Sequence, residues 1–148
     1  IIAQGVLFNR LVQKFGESTL VVAGCLMMVA SLFLVPIVGP GYGGVTVLLL
    51  GTALLAFGNS LASPGLTSLA SKTASEKDQG RTLGIMQSGA SLARVIGPVL
   101  GGLLLNNSLN LVDDSTLYRT FWTASGIMFV AFLVALYFAR TANEKMIA

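Results

Sequence analysis

The chain has 148 residues, of which 54% are apolar and only 10% are charged, and its mean hydropathy is +0.81. Soluble globular domains carry roughly a quarter charged residues, so this composition excludes most of them and predicts a protein whose partner is the lipid bilayer. The net charge of +3 does not indicate nucleic-acid binding, because the nine Lys and Arg residues are scattered and most of them flank apolar runs.

Four apolar runs are each long enough for a membrane-spanning helix, which needs about 20 residues. In chain order they cover residues 19–38, 45–70, 83–105 and 118–139. Strands of a membrane barrel are about half as long and alternate in polarity, whereas these runs are continuous. We therefore predict an all-α fold, a polytopic transmembrane helical bundle with four complete spans.

The segment before the first run is an apolar stub, Ile1 to Phe8, that is too short to cross a membrane. We interpret it as the end of a preceding helix, which would make residues 1–148 a transmembrane region of a longer protein. The first run is followed by a turn rich in glycine and proline at residues 38–44. Such a turn predicts that the first two spans are antiparallel neighbours.

The second run carries a row of polar residues at steps of four: Asn59, Ser63 and Thr67. At helical spacing these side chains share one face, which is a candidate lining for a polar pathway. Alternatively, the hydroxyl groups bond to their own helix or to a neighbour, as Ser and Thr commonly do in packed membrane helices. Pro64 is expected to bend or loosen this helix.

The third run follows a polar loop of mixed charge at residues 71–81 and has two distinct faces. One face holds small residues every four positions, a pattern that favours close packing of another helix: Gly89, Ala93, Gly97 and Gly101. The other face is polar and contains four residues at steps of four, three and four: Gln87, Ser91, Arg94 and Pro98. Pro98 is expected to bend this helix as well.

Arg94 lies near the middle of the third run, where a charge exposed to lipid costs at least ~2.5 kcal/mol. It should therefore face protein or a water-filled cavity, and it is the strongest functional candidate of the chain. The alternative is a structural anchor that donates to backbone carbonyl groups or to a carboxylate. No Asp or Glu lies within the four runs, so a carboxylate that binds protons or cations would belong to another part of the protein.

Basic residues are distributed unequally between the two sides that four alternating spans define. Only Arg119, at the start of the fourth run, falls on one side, and seven fall on the other: Arg10, Lys14, Lys72, Lys77, Arg81, Arg140 and Lys145. Because Lys and Arg accumulate in cytoplasmic loops, we predict that the 71–81 loop and the C-terminus are cytoplasmic and that residues 106–117 face outside. The tail from Thr141 onward is expected to be loosely ordered.

The sequence offers no recognisable carrier of enzymatic chemistry or of a bound metal. Histidine is absent, and no HExxH pattern, GxSxG pattern or phosphate-binding loop occurs. We therefore expect no enzymatic activity, no metal site and no cofactor.

Two motifs resemble those of a transporter family. Gly5-Val-Leu-Phe-Asn9-Arg10, followed by Lys14-Phe-Gly16-Glu17, is similar to the loop motif of the major facilitator superfamily, Gly-x-Leu-x-Asp-Arg-x-Gly-Arg-Arg. Asn9 replaces the acidic residue, and Leu11 to Gln13 lengthen the loop. The segment Gly97-Pro98-Val-Leu-Gly101-Gly102 resembles the Gly-Pro-x-x-Gly-Gly helix signature of drug:proton antiporters in that superfamily.

The resemblance implies that residues 1–148 are the C-terminal part of a twelve-helix transporter of the tetracycline-resistance-like branch, with helices nine to twelve as its spans. It implies a secondary active exporter of small drug-like molecules in the cell (inner) membrane, with protons as the coupling ion. The N-terminal half of the same protein would complete the substrate site. Six residues would contribute to the cavity or its gating: Arg94, Gln87, Ser91, Asn59, Ser63 and Thr67.

Two alternatives stay open at this point. The same fold is compatible with uptake of a sugar or an organic anion, for which Arg94 would be the anion ligand. The chain is also compatible with a four-helix membrane protein that acts as an assembly subunit. The stub at Ile1 to Phe8 and the absence of an initiating Met argue against that second alternative.

Overall fold

The structure is a computed structural model that describes residues 10–38, 44–106 and 114–147, with side chains described as far as residue 141. Helix α1 spans Glu17–Leu34 and continues as a short 3-10 helix at Val35–Ile37. Helix α2 spans Gly44–Thr73, helix α3 spans Gln79–Leu105, and helix α4 spans Asp114–Ile147. All four are long and apolar enough to cross a membrane, which confirms the predicted all-α fold with four spans.

The helices extend beyond the apolar runs, and several predicted loops were therefore wrong. Residues 74–78 alone connect α2 to α3, in place of the predicted loop at 71–81. Helix α4 begins at Asp114 and continues to Ile147, so residues 114–117 and residues 141–147 of the predicted loose tail are helical. The tail contains the helix formers Ala, Glu, Lys and Met, and no Gly or Pro interrupts it.

Contacts between the helix ends show that consecutive helices run in opposite directions. Glu17 at the start of α1 accepts a hydrogen bond from Lys72 near the end of α2. Phe33 near the end of α1 stacks on Trp122 in the early part of α4, with ring centroids 5.7 Å apart. Arg119 of α4 donates to a carbonyl group at the end of α3. We call the two ends of the bundle the Lys72 end and the Arg119 end.

Helix α1 lies between α2 and α4 and contributes more buried residues than any other described helix. Val21 and Cys25 of α1 pack with Ala62 of α2, and apolar side chains of α2 and α4 surround them: Leu69, Met128, Phe132 and Ala135. In a bilayer such contacts are van der Waals packing rather than escape from water, so they depend on how closely the backbones approach. The core of the described residues is therefore a seam on either side of α1.

The closest approach in the bundle is between α1 and α2, where two glycines face each other. A Cβ atom added to Gly24 would lie 2.6 Å from the carbonyl oxygen of Gly58 and 2.9 Å from the backbone nitrogen of Ala62. A Cβ atom added to Gly58 would lie 2.8 Å from the carbonyl oxygen of Gly24. Since both neighbours are backbone atoms, any side chain at either position would force the helices apart.

Two buried hydroxyl groups add polar contacts between these helices. Ser31 of α1 is fully buried and donates to the carbonyl oxygen of Gly51 in α2 at 2.6 Å. Ser125 of α4 donates to the carbonyl oxygen of Val29 in α1 at 3.2 Å. Because an unpaired hydroxyl in hydrocarbon is costly, these bonds favour one register of the helices over others.

Helix α3 lies at the edge of the described bundle, and none of its residues is buried. Its contacts with α2 and α4 are far fewer than the contacts that α1 makes with those two helices. The structure thus contains a packed group of three helices, α1, α2 and α4, with α3 beside it.

The basic residues gather at one end of the bundle, as the sequence predicted. The Lys72 end carries six of them on described side chains: Arg10, Lys14, Lys72, Lys77, Arg81 and Arg140. Lys145 follows in the last turns of α4, and Arg119 lies at the opposite end. Which side of the membrane each end faces stays a prediction.

Candidate functional site

Arg94 lies near the middle of α3, the helix at the edge of the described bundle. Its side chain is exposed, and it has neither a hydrogen-bond partner nor an ion-pair partner among the described residues. The anchoring alternative is therefore not realised within the described part of the chain. A guanidinium group at mid-span is costly in lipid, so this surface of α3 requires protein or water against it.

Gln87 and Ser91 share the helix face of Arg94, because α3 is unbroken from Gln79 to Leu105. Both side chains are exposed. The helix also continues through Pro98, and α2 continues through Pro64. The polar face of α3 thus exists as predicted, while the bends at the two prolines stay predictions.

The polar row of α2 faces away from α1. Asn59, Ser63 and Thr67 are all exposed, whereas the buried side of this helix contains four other residues: Gly58, Leu61, Ala62 and Gly65. Thr67 donates to the carbonyl oxygen of Ser63 at 3.1 Å, which is the bond to its own helix that was the alternative to a pathway lining. In the described residues, no hydrogen bond joins this row to Arg94 or Gln87.

The small residues of α3 meet no other helix among the described residues. A Cβ atom added to Gly89, Gly97 or Gly101 would have nothing within 4 Å, and Ala93 is exposed. The packing predicted for this row is therefore absent among the described residues and stays a prediction for a helix beyond them. The close packing occurs instead on α2, where glycines recur every seven residues: Gly51, Gly58 and Gly65.

That period of seven is the signal that sequence reasoning missed. Seven residues are close to two helical turns, so the three glycines lie on one face of α2. A Cβ atom added to Gly65 would lie 2.6 Å from Cγ2 of Val21, and one added to Gly51 would lie 3.2 Å from Cγ2 of Val35. The face that packs against α1 is thus marked by glycine, although at a spacing of seven residues instead of the four of the row in α3.

The loop motif lies only partly within the described residues. Gly5 and Asn9 fall outside them, and Arg10 is exposed in the helical segment 10–15, where the sequence predicted a loop. Gly16 ends this segment with φ +79°, a conformation that L side chains rarely adopt, and its backbone N–H donates to the carbonyl oxygen of Val12 at 2.9 Å. Glycine at this position is therefore explained by the turn that leads into α1.

A charged cluster at the Lys72 end was not predicted as a unit. Oε1 of Glu17 accepts hydrogen bonds from Oγ of Ser68 and from Nζ of Lys72, each at 2.7 Å. The carboxylate is largely buried, with the Glu17 side chain 11% exposed, while the Lys72 side chain is 67% exposed. The sequence could have predicted this ion pair, because antiparallel neighbours place Glu17 at the start of α1 beside Lys72 near the end of α2.

The described residues bring together no group of His, Cys, Asp and Glu side chains that would hold a metal ion. The candidate site therefore consists of a polar helix face with an unpartnered arginine at its centre. Such a face is suited to binding and positioning a polar or charged molecule.

Comparison with known proteins gives two matches. The sequence model of the Major Facilitator Superfamily matches residues 1–147. Multidrug resistance protein 2 of Bacillus subtilis (strain 168) is 30% identical over 144 residues, which cover 97% of this chain and 33% of that protein. The chain thus spans about a third of the length of this curated relative. No solved structure matches the chain significantly.

Proposed function

The chain belongs to the major facilitator superfamily, and from this membership we propose that it is the C-terminal part of a secondary active transporter that exports small drug-like molecules in exchange for protons. The similarity to a relative named as a multidrug resistance protein supports the substrate class. The signature at Gly97 to Gly102 supports the antiporter branch that resembles tetracycline-resistance transporters. The family is one of transporters, which favours transport over catalysis and over the assembly-subunit alternative.

The observation that carries the proposal is Arg94, exposed at mid-span without a partner in the described residues. In a complete transporter this face of α3 would turn toward the substrate cavity, where the rest of the protein and water cover it. Gln87 and Ser91 would supply hydrogen bonds beside the guanidinium group. The row at Asn59, Ser63 and Thr67 is the second candidate lining.

The protein is proposed to lie in the inner cell membrane with its C-terminus in the cytoplasm, because the basic residues gather at the Lys72 end. Its coupling carboxylate would lie outside the four spans. In such an exporter, Arg94 influences that carboxylate through its positive charge, which favours the ionised state of a nearby acid.

The first prediction concerns Arg94→Ala in the full-length protein. Because the guanidinium group is the one charge near the middle of α3, its removal should lower efflux of a cationic dye such as ethidium by at least about tenfold. Membrane abundance should stay unchanged, since Arg94 makes no hydrogen bond or ion pair within the described bundle. Efflux is measured from preloaded cells, with abundance determined by immunoblotting of the membrane fraction.

The matched control is Arg81→Ala, which removes an exposed arginine at the start of the same helix and should leave efflux within about twofold of wild type. Arg94→Lys separates charge from the planar geometry of guanidinium. Normal efflux in Arg94→Ala would exclude the proposed role. Efflux that persists after a protonophore collapses the proton gradient would exclude proton coupling.

Uptake of an organic anion is the second candidate, favoured by the same unpartnered guanidinium group. The two candidates differ in direction and in substrate charge. Accumulation of an anionic substrate that is lost in Arg94→Ala, together with no efflux of ethidium by the wild type, would favour uptake.

A further inference from the structure

The Arg119 end of α3 has an unusual cap. The last turn of any α-helix leaves carbonyl groups without partners in the helix, and water replaces them only where it has access. Here Arg119 of α4 supplies the donors: its Nε donates to the carbonyl oxygen of Leu104 at 2.9 Å, and its Nη2 donates to that oxygen as well. Nη2 also donates to the carbonyl oxygen of Asn106 at 2.9 Å.

The guanidinium group suits this position for two reasons. Its donors have a fixed planar geometry, so one side chain reaches the carbonyl groups of two nearby residues, Leu104 and Asn106, without losing much conformational freedom. Its positive charge also lies at the negative end of the dipole of α3. The cap explains why a single basic residue occupies the end of the bundle that otherwise lacks them.

The same turn of α4 also contacts α1. Trp122, three residues after Arg119, stacks on Phe33, and the Tyr118 ring meets the Trp122 ring edge-on at 5.2 Å. Residues 118–122 of α4 therefore touch α1 on one side and the end of α3 on the other. This segment connects α3 to the packed group of helices.

Helix α3 has few other attachments. None of its residues is buried, and the bonds from Arg119 join its last turn to α4. At the Lys72 end, the short connection 74–78 links it to α2. Removal of the cap would leave the Arg119 end of α3 with weak contacts.

From this geometry we infer that Arg119 is a positioning residue for the face of α3 that carries Arg94. Leu104 lies ten residues beyond Arg94, about 15 Å along a helix that continues through Pro98, so a helix held at Leu104 restricts the positions that Arg94 can take. The inference rests on the proposed function, since it assigns to Arg119 the placement of a residue that this function uses. Arg119 itself is not assigned any contact with substrate.

The test measures distance and transport separately in the full-length protein. Spin labels are attached through Leu103→Cys on α3 and Val130→Cys on α4, two exposed positions, in a Cys25→Ala background. In Arg119→Gln, pulsed electron resonance should give a clearly broadened distance distribution, because the α3 end is no longer held. Efflux of ethidium should fall by at least about tenfold, because the function of a positioned group depends steeply on its exact position.

Arg119→Lys keeps the positive charge but loses the planar set of guanidinium donors, so its distance distribution and its ethidium efflux should lie between those of the wild type and Arg119→Gln. It also provides a second variant if Arg119→Gln is poorly inserted into the membrane. Arg140→Gln, at the other end of α4, is the matched control and should change neither. An unchanged distance distribution in Arg119→Gln overturns the inference. A broadened distribution with normal efflux also overturns it, because Arg94 would then not need the cap.

The distance measurement does not depend on the identity of the substrate. If the wild type fails to export ethidium while the distribution broadens in Arg119→Gln, the proposed substrate class is wrong and the cap is supported. If the wild type exports ethidium and the distribution stays sharp, the proposed function is supported and the cap is not.

Discussion

At the scale of single residues, the tightest packing depends on the absence of side chains. Gly24 and Gly58 allow the backbones of α1 and α2 to touch, and Ser31 places its hydroxyl group in the same seam. In a bilayer, where apolar side chains gain little by leaving lipid, this close contact is a main source of helix association. An added methyl group should therefore weaken helix association more at Gly24 or Gly58 than at most positions of the chain.

The prediction at this scale compares two glycines in helices. Gly24→Ala would place a Cβ atom 2.6 Å from a backbone oxygen, so it should lower the free energy of unfolding by about 1–3 kcal/mol. Gly126→Ala in α4 meets nothing within 4 Å and should be neutral or slightly stabilising, since Ala favours helix. Thermal unfolding of the full-length protein in detergent distinguishes them, and equal midpoints would contradict the assignment of the seam.

At this scale, the sequence predicts which residues share a helix face but not which helix face packs against a neighbour. Arg94, Gln87 and Ser91 were placed on one face correctly, because a helix fixes which residues share a face. Which helix face packs depends on the neighbouring helix. The regular row of small residues in α3 was the more visible pattern in the sequence, although the close helix contacts are made by the glycines of α2. Gly24 has no repeat in its own helix, so the sequence did not mark it.

At the scale of helices, α1 and α2 behave as one unit that is joined at both ends. Glu17, Ser68 and Lys72 connect them at the Lys72 end, and Ser31 bonds to α2 further along. The carboxylate of Glu17 is largely buried, so its two hydrogen bonds offset the cost of removing it from water. We expect these two helices to move together in any conformational change.

The prediction at this scale is an asymmetry between the partners of one ion pair. Glu17→Ala should lower the free energy of unfolding by about 2 kcal/mol, because it leaves Ser68 and Lys72 without their acceptor. Lys72→Ala should cost less than about 1 kcal/mol, because this side chain is mostly exposed. Chemical denaturation of the purified full-length protein provides both values.

A double-variant cycle tests whether the two residues act through each other. In a Glu17→Ala background, Lys72→Ala should have almost no further effect. Lys77→Ala, an exposed lysine without an ion-pair partner among the described residues, is the control. Strictly additive effects of Glu17→Ala and Lys72→Ala would show that the pair is not coupled.

The number and order of the helices were predictable because a bilayer imposes a minimum apolar length. Their ends were not, because polar residues such as Gln79 and Lys145 continue a helix beyond the apolar part. The cap at Arg119 was not predictable either. It depends on which carbonyl groups the neighbouring helix presents, and that is a property of the packed structure.

At the scale of the whole molecule, the described chain has one end rich in basic residues and one end with a single arginine that serves as a helix cap. This separation follows from the alternation of the helices, which brings distant parts of the sequence to the same end. It gives the orientation in the membrane a physical basis, since the basic end resists translocation.

The prediction at this scale concerns that orientation. Green fluorescent protein fused after Ala148 should fluoresce, because it folds in the cytoplasm, whereas alkaline phosphatase fused after Asn110 should be active, because it requires the outer side. Each reporter placed at the other position serves as the control and should be inactive. The reverse pattern would overturn the orientation while leaving the fold unchanged.

The seam between α1 and α4 has a consequence for biosynthesis. Ser125 and its acceptor on Val29 are 96 residues apart, whereas α1 and α2 are consecutive. As the ribosome releases the chain, the first two helices can associate at once, but the other side of α1 stays uncovered until α3 has entered the membrane and α4 has followed. We therefore expect α1 to gain its packing partners in two stages during synthesis, α2 first and α4 last.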